Sequence, residues 1–158
     1  MAVDIFAKIG DVKGESLDAK HKDEIEVLSW SWGVSNAGSM ATGGGGGTGK
    51  VSFQDFSFMH NVDKATPVLL TNCADGVHFK EATITARKAG KGQQEFLQFK
   101  FSDVIITGVA SAGGGDVPTE NVTMQFAKVA IEYKPQKADG SLDAGAFFKY
   151  DLKASKSG

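Results

Sequence analysis

Apolar side chains recur at every second position through most of this chain, the period of a half-buried β-strand. Val3, Ile5, Ala7 and Ile9 alternate with Asp4, Phe6 and Lys8. Residues 25–34 predict a second strand, with Leu28, Trp30 and Trp32 on one face and Ser29 and Ser31 on the other. Across 51–60 the phase changes: Val51 and Phe53 share one face, Phe56 and Phe58 the opposite one. Such a switch predicts a β-bulge around Asp55. Further strands are predicted at 78–88, at 95–109 with a bend near Asp103, at 122–133 and at 146–152. One stretch keeps a helical period instead. Thr66 reads as an N-cap, Pro67 as the first helical residue and Gly76 as the stop, with Val68, Leu69, Leu70 and Cys73 as an apolar stripe. The pattern predicts a mainly β fold: one antiparallel β-barrel or sandwich domain over residues 1–158, with one short flanking α-helix at 67–75.

Composition sharpens this picture in two ways. Phe and Val outnumber Leu and Met, a bias toward pleated surfaces. Glycine supplies 20 of 158 residues, close to twice the usual share of about 7%. Much of it sits in loops. Gly43, Gly44, Gly45, Gly46 and Gly47 run unbroken, followed by Thr48, Gly49 and Lys50. So long a glycine loop loses much backbone entropy on ordering, more than this subunit alone can offset, and a loop of that length in a compact domain is either functional or disordered. The formal net charge of −2 argues against a protein built to grip nucleic acid or an anionic membrane. No apolar run reaches the ~18 residues of a membrane helix. The first residues lack a basic leader followed by an apolar core, so no signal peptide is expected. Cys73 is the only cysteine, which excludes an intrachain disulfide.

Candidate chemistry is thin. Gly44, Gly49 and Lys50 nearly spell a phosphate-binding loop, but Val51 stands where a magnesium-holding Ser or Thr belongs. The residues after Lys50 alternate as a strand, so no helix N-terminus is there to receive a phosphate. His21, His60 and His78 are far apart, with His21 expected as a solvated loop residue in a charged run, and no metal site is read from them. Cys73 has no local base to activate it. Arg87, Lys88 and Lys91 make a small basic turn without interleaved aromatics. Asn121-Val122-Thr123, a glycosylation sequon by pattern, reads most simply as strand. No catalytic residue, cofactor or metal is expected. Trp30 and Trp32 read as core anchors on one face of a strand whose other face carries Ser29 and Ser31.

Taken in order, the fragments resemble the Hcp family, the tube-forming subunits of bacterial type VI secretion systems. The resemblance rests on Ala2-Val3-Asp4-Ile5-Phe6, Trp30-Ser31-Trp32-Gly33, Gly38-Ser39-Met40, the Gly43 to Lys50 loop and Arg87-Lys88-Ala89-Gly90. Thr119-Glu120-Asn121-Val122 and the run from Tyr133 to Gly140 complete it. It implies a homohexameric ring, rings stacked into a hollow tube, and small effector proteins carried in the lumen. It implies sheath and tip (spike) proteins as partners, and export from the bacterial cytoplasm through the type VI apparatus without a signal peptide. Nucleic acid and membrane insertion have no part in it. On this basis Ser29 and Ser31 are assigned to the lumen. Trp30 and Trp32 go to the core or subunit contact, and Gly43 to Lys50 to ring stacking or subunit contact. The rival readings are a β-sandwich protein-binding module whose glycine loop orders on a partner, and an enzyme holding a phosphorylated ligand through Lys50.

Overall fold

The computed structural model describes residues 2–38, 50–90 and 92–158. The fold is mainly β with one short helix, as the alternation predicts. The strands are β1 (Val3–Ile9), β2 (Ile25–Val27), β3 (Ser29–Ser31), β4 (Val34–Asn36), β5 (Val51–Phe53), β6 (Phe56–Asn61), β7 (His78–Lys88), β8 (Glu95–Ala112), β9 (Thr119–Tyr133), β10 (Ala146–Asp151) and β11 (Lys156–Ser157). Helix α1 (Ala65–Asp75) lies between β6 and β7. The main sheet runs β11-β10-β9-β8-β7-β1-β2, with antiparallel neighbours. It closes into a barrel because β2 leads straight into β3, β3 pairs with β6, and β6 pairs with the start of β9. β4 and β5 form a separate two-stranded ribbon. The core is aromatic: Phe56, Phe58 and Phe101 are fully buried, and Phe99 and Phe126 pack among them.

The phase changes mark where strands exchange partners. Residues 25–34, expected as one strand, divide between β2 on β1, β3 on β6 and β4 on β5. Ile25 and Val27 are buried, whereas Trp30 and Trp32 pack against the core one residue out of step. Leu28, expected beside the tryptophans, is exposed at that slip. The bulge expected near Asp55 is a full interruption, with Gln54 and Asp55 between strands of different sheets. The bend at Asp103 is present: its φ is +53°, and the inward set passes from Phe99 and Phe101 to Val104 and Ile106. Asp tolerates this left-handed conformation better than most side chains. A second irregularity between Ile106 and Gly108 turns Thr107 outward, where its hydroxyl donates to Asp55 Oδ2 at 2.7 Å.

The helix starts earlier than predicted. Thr66 is not its cap but a buried residue of the first turn. The N-cap is Lys64, whose side chain makes no capping bond; one residue earlier, Asp63 Oδ1 accepts the Ala65 N–H at 2.8 Å. Gly76 ends the helix as expected, at φ +64°, and the Val77 N–H closes on the Asn72 carbonyl at 3.0 Å. The inward stripe is Ala65, Thr66, Leu69 and Cys73, while Val68 and Leu70 are exposed. Positions 65, 69 and 73 share a helix face; 68 and 70 lie about 100° to either side of Leu69.

Segment 10–24 overturns the reading of His21 as solvated. Phe6 and Arg87 alternate with core residues of β1 and β7, so they point out of the barrel, and this segment buries them. The His21 ring stacks on Phe6 at 4.4 Å and bonds Glu24 at 2.9 Å and Glu95 at 2.7 Å. Arg87 lies over Phe6 at 4.8 Å and donates to both carboxylate oxygens of Asp18, at 2.8 and 2.5 Å. Arg87 therefore belongs to a structural clasp, not to the basic turn the sequence suggests. The Arg87 hydrogen bond pulls the Asp18 pKa down from 3.8 to about 2. Because the folded value is depressed, this contribution is present above about pH 4 and lost as pH falls through about 2. Acidification across that window should release segment 10–24, seen as loss of the ring-current shifts at His21 and Phe6 by NMR. Asp18→Asn should remove the acid transition; its persistence in that variant would assign it to another group.

Candidate functional site

Ser29 and Ser31 are both exposed on β3, and the pairing registers show what surrounds them. Ser29 lies opposite Met59 and Ser31 opposite Ser57 on β6. Those residues face Asn121 and Thr123 on β9, which in turn face Ala110 and Gly108 on β8. A third row adds Asn61, Thr119 and Ala112. Directly paired positions share a face of the sheet. β3, β6, the start of β9 and the end of β8 thus present one surface of small hydroxyl, amide and methyl groups, with Met59 the one large side chain. The Ser57 hydroxyl donates to Asn121 Oδ1 at 3.0 Å and ties two of its strands together.

None of these side chains is charged, in a chain whose residues are 23% charged. The contrast is internal to the barrel. Across its other wall, Lys8, Thr83, Lys100, Ala130 and Lys149 form one outward row, and Glu81, Ser102, Lys128 and Asp151 the next. That is an ordinary solvated sheet face. Surfaces that meet protein partners are instead depleted in charge at their centre and enriched in Met.

The same four strands have two open edges. β3 pairs only with β6, and β8 loses β7 after Ile105, leaving Gly108–Ala112 paired with β9 alone among the described residues. Open edges of this kind are templates for pairing with another chain.

Behind β3 the tryptophans pack inward. Trp30 sits edge-on to Phe99 at 4.8 Å and stacks over Phe56 at 5.9 Å. Trp32 lies 6.0–6.4 Å from Phe53, Phe99, Phe126 and Phe148, and its Nε1 donates to the Gln54 carbonyl at 2.9 Å. Both remain half-buried. Gly43 to Gly49 lie outside the described residues; Lys50 is exposed, directly ahead of β5. A strand thus follows Lys50 where a phosphate-binding loop needs a helix.

Sequence reasoning singled out Ser29 and Ser31; the registers add Ser57, Met59, Asn121, Thr123 and the small residues of β8 to the same face. The available signal was the lack of charge at outward positions of 57–61 and 119–123. Among the described residues no His, Cys, Asp and Glu cluster could hold a metal ion, and no helix is long and apolar enough to cross a membrane.

Residues 6–133 match the family described as type VI secretion system effector, Hcp. Protein Hcp1 of Pseudomonas aeruginosa is 53% identical over 148 residues, spanning 92% of this chain and 91% of that protein. The crystal structure of Hcp1 from Salmonella typhimurium is similar with a TM-score of 0.79 at 36% identity, covering 99% of each chain. A structure described as that of a type six secretion system protein reaches a TM-score of 0.92 at 28% identity, over 99% of this chain and 100% of that one. With family, sequence and fold in agreement across nearly the whole chain, this protein belongs to the Hcp family of type VI secretion system proteins.

Proposed function

We propose that this chain is a tube subunit: six copies close into a ring, rings stack into a hollow tube, and the uncharged face of β3, β6, β9 and β8 lines the lumen. The observation that carries the reading is that face together with its two open edges. Copies placed side by side set the free edge of β3 against the free end of β8 in the next subunit. That contact is heterologous, as cyclic symmetry requires, and it satisfies main-chain groups that a monomer leaves to water. The wall so formed has Ser29, Ser31, Ser57, Met59 and Asn121 toward the centre.

The lumen holds and protects small effector proteins. Trp30 and Trp32 stiffen the wall from behind, and their accessible edges fall to subunit contact. The segment from Gly43 to Lys50 makes ring-stacking or subunit contacts. Sheath and tip proteins are the remaining partners, and the assembly leaves the bacterial cytoplasm through the type VI apparatus. No catalysis enters this reading, which fits a family of structural secretion components.

Light scattering on a sizing column, followed by electron micrographs of the peak, tests the ring. Six subunits of 16.6 kDa give about 100 kDa, and the micrographs should show hollow rings. A stable monomer across a concentration series would overturn the proposal in favour of the binding-module reading. Ser31→Gln tests the lumen. A surface change of this kind should move subunit stability by no more than about 0.5 kcal/mol and leave the ring mass unchanged. Effector retention, measured by quantitative mass spectrometry of purified rings, should fall about tenfold or more, equivalent to about 1.4 kcal/mol. Loss of rings along with binding would make Ser31 a structural residue instead.

A further inference from the structure

The barrel buries a second set of polar side chains on the reverse side of strands that form the face just described. His60 and Glu120 are fully buried, with His60 Nε2 2.8 Å from Glu120 Oε1. Glu120 accepts two further hydrogen bonds, from the Thr66 hydroxyl at 3.3 Å and the Ser111 hydroxyl at 3.0 Å. The other ring nitrogen, Nδ1, has no hydrogen-bond partner and lies 3.7 Å from Asp63 Oδ2. Four pieces of chain meet here: the end of β6, the first turn of α1, the start of β9 and the end of β8.

Geometry limits which groups of the cluster can compensate one another. A buried carboxylate needs a compensating cation, because an isolated charge in the interior costs several kcal/mol. Among the described residues no lysine or arginine pairs with Glu120, so His60 is the only candidate. The charged groups facing the imidazole are Glu120 from β9 and Asp63 from the connection before α1. Helix α1 contributes only Thr66 and β8 only Ser111, neither of which titrates in this range.

We propose that His60 and Glu120, with Asp63, Thr66 and Ser111, form a pH-sensitive latch that holds helix α1 against the barrel while His60 is protonated. Burial works against protonation of the imidazole, but Asp63 and Glu120 outweigh it and hold its pKa above the ordinary value of 6.5. A raised folded value places the stabilisation fully below pH 6.5, and it is lost as pH rises through the folded pKa. The latch is therefore closed below pH 6.5 and opens as pH rises through the His60 midpoint. A neutral imidazole keeps one hydrogen bond to Glu120 but leaves that carboxylate uncompensated. Helix α1 then loosens first, because only a few inward apolar side chains hold it otherwise, whereas β6, β8 and β9 stay joined by their main-chain pairing.

The test is an NMR titration of the His60 ring, combined with amide hydrogen exchange corrected for intrinsic rates, on the full chain. His60 should titrate above 6.5. Protection of α1 and of residues 119–121 should fall about tenfold or more as pH passes the His60 midpoint. In Glu120→Gln the midpoint should drop by about one unit or more. In His60→Gln the protection of α1 should no longer depend on pH. A native midpoint at or below 6.5 would overturn the latch, as would protection of α1 that stays constant through the midpoint. The wild-type titration decides both even where a variant fails to fold.

Discussion

Phe99→Ala is expected to cost about 3–5 kcal/mol of folding stability, the range for deleting a buried aromatic ring. Phe99 is 4% exposed, and its ring lies 4.8 Å from Trp30, 6.3 Å from Trp32, 5.3 Å from Phe56 and 6.0 Å from Phe101. It comes from β8, whereas the tryptophans come from β3 and the turn after it, so the ring joins opposite parts of the barrel. Its loss opens a cavity that Trp30 and Trp32 cannot both fill, because each is held by further partners. Both of the chain's tryptophans touch the site, so their fluorescence should shift in the folded state, before any unfolding. Phe99→Leu keeps most of the volume and should cost about 1.5 kcal/mol or less. Urea denaturation at fixed protomer concentration measures both, since the proposed ring would make stability depend on concentration. An Ala variant within 1 kcal/mol of the parent would show that the cluster is not a support for β3.

The same strands show how far alternation can be read. β7 was predicted with both of its ends; Ala82, Ile84 and Ala86 keep one phase over the stretch that pairs with both β1 and β8. The phase slips at Leu28 and between Phe53 and Phe56 are visible in the chain, but a slip does not say whether a strand bulges or changes sheet. That depends on which partner is available, and partners are distant in sequence. His21 was misread for a related reason. Its neighbours in sequence are charged and polar, whereas the groups that bury it, Phe6 and Glu95, are brought in by the pairing of β1 with β7 and β7 with β8. The helix start was misplaced by two residues: the cap is Lys64, with Asp63 Oδ1 accepting the Ala65 N–H just before it, while Thr66 sits inside the first turn and donates to Glu120. Glu120 itself was a missed signal, a carboxylate at an inward position between the outward Thr119 and Asn121. The uncharged face was half legible. Ser29 and Ser31 stand out against Trp30 and Trp32, but the rest of the surface exists only through register.

Gly14→Ala should be nearly as damaging, for reasons of space alone. A Cβ on Gly14 would stand 2.5 Å from the Glu24 carbonyl oxygen and 2.8 Å from the Ile25 Cα. These are main-chain atoms, so no rotamer change relieves the clash. The two stretches are tied by hydrogen bonds: Gly14 N–H to Asp23 O at 2.7 Å, Ser16 N–H to Glu24 O at 3.0 Å and Asp23 N–H to Ser16 O at 2.8 Å. Either these bonds break or Ile25, which is fully buried, shifts out of the core. An overpacked site of this kind costs about 2–3 kcal/mol. The damage should spread along segment 10–24, withdrawing His21 from Phe6 and Asp18 from Arg87. Gly113→Ala is the matched control: its Cβ would meet nothing within 4 Å, and its backbone is not left-handed. Removing that glycine should be neutral or stabilising by a few tenths of a kcal/mol, because only the unfolded chain loses freedom. Urea midpoints at one protomer concentration compare the two directly. A Gly14 variant as stable as the Gly113 variant would mean that segment 10–24 can lift from the barrel at little cost, and the Asp18–Arg87 clasp would then contribute far less than its geometry implies.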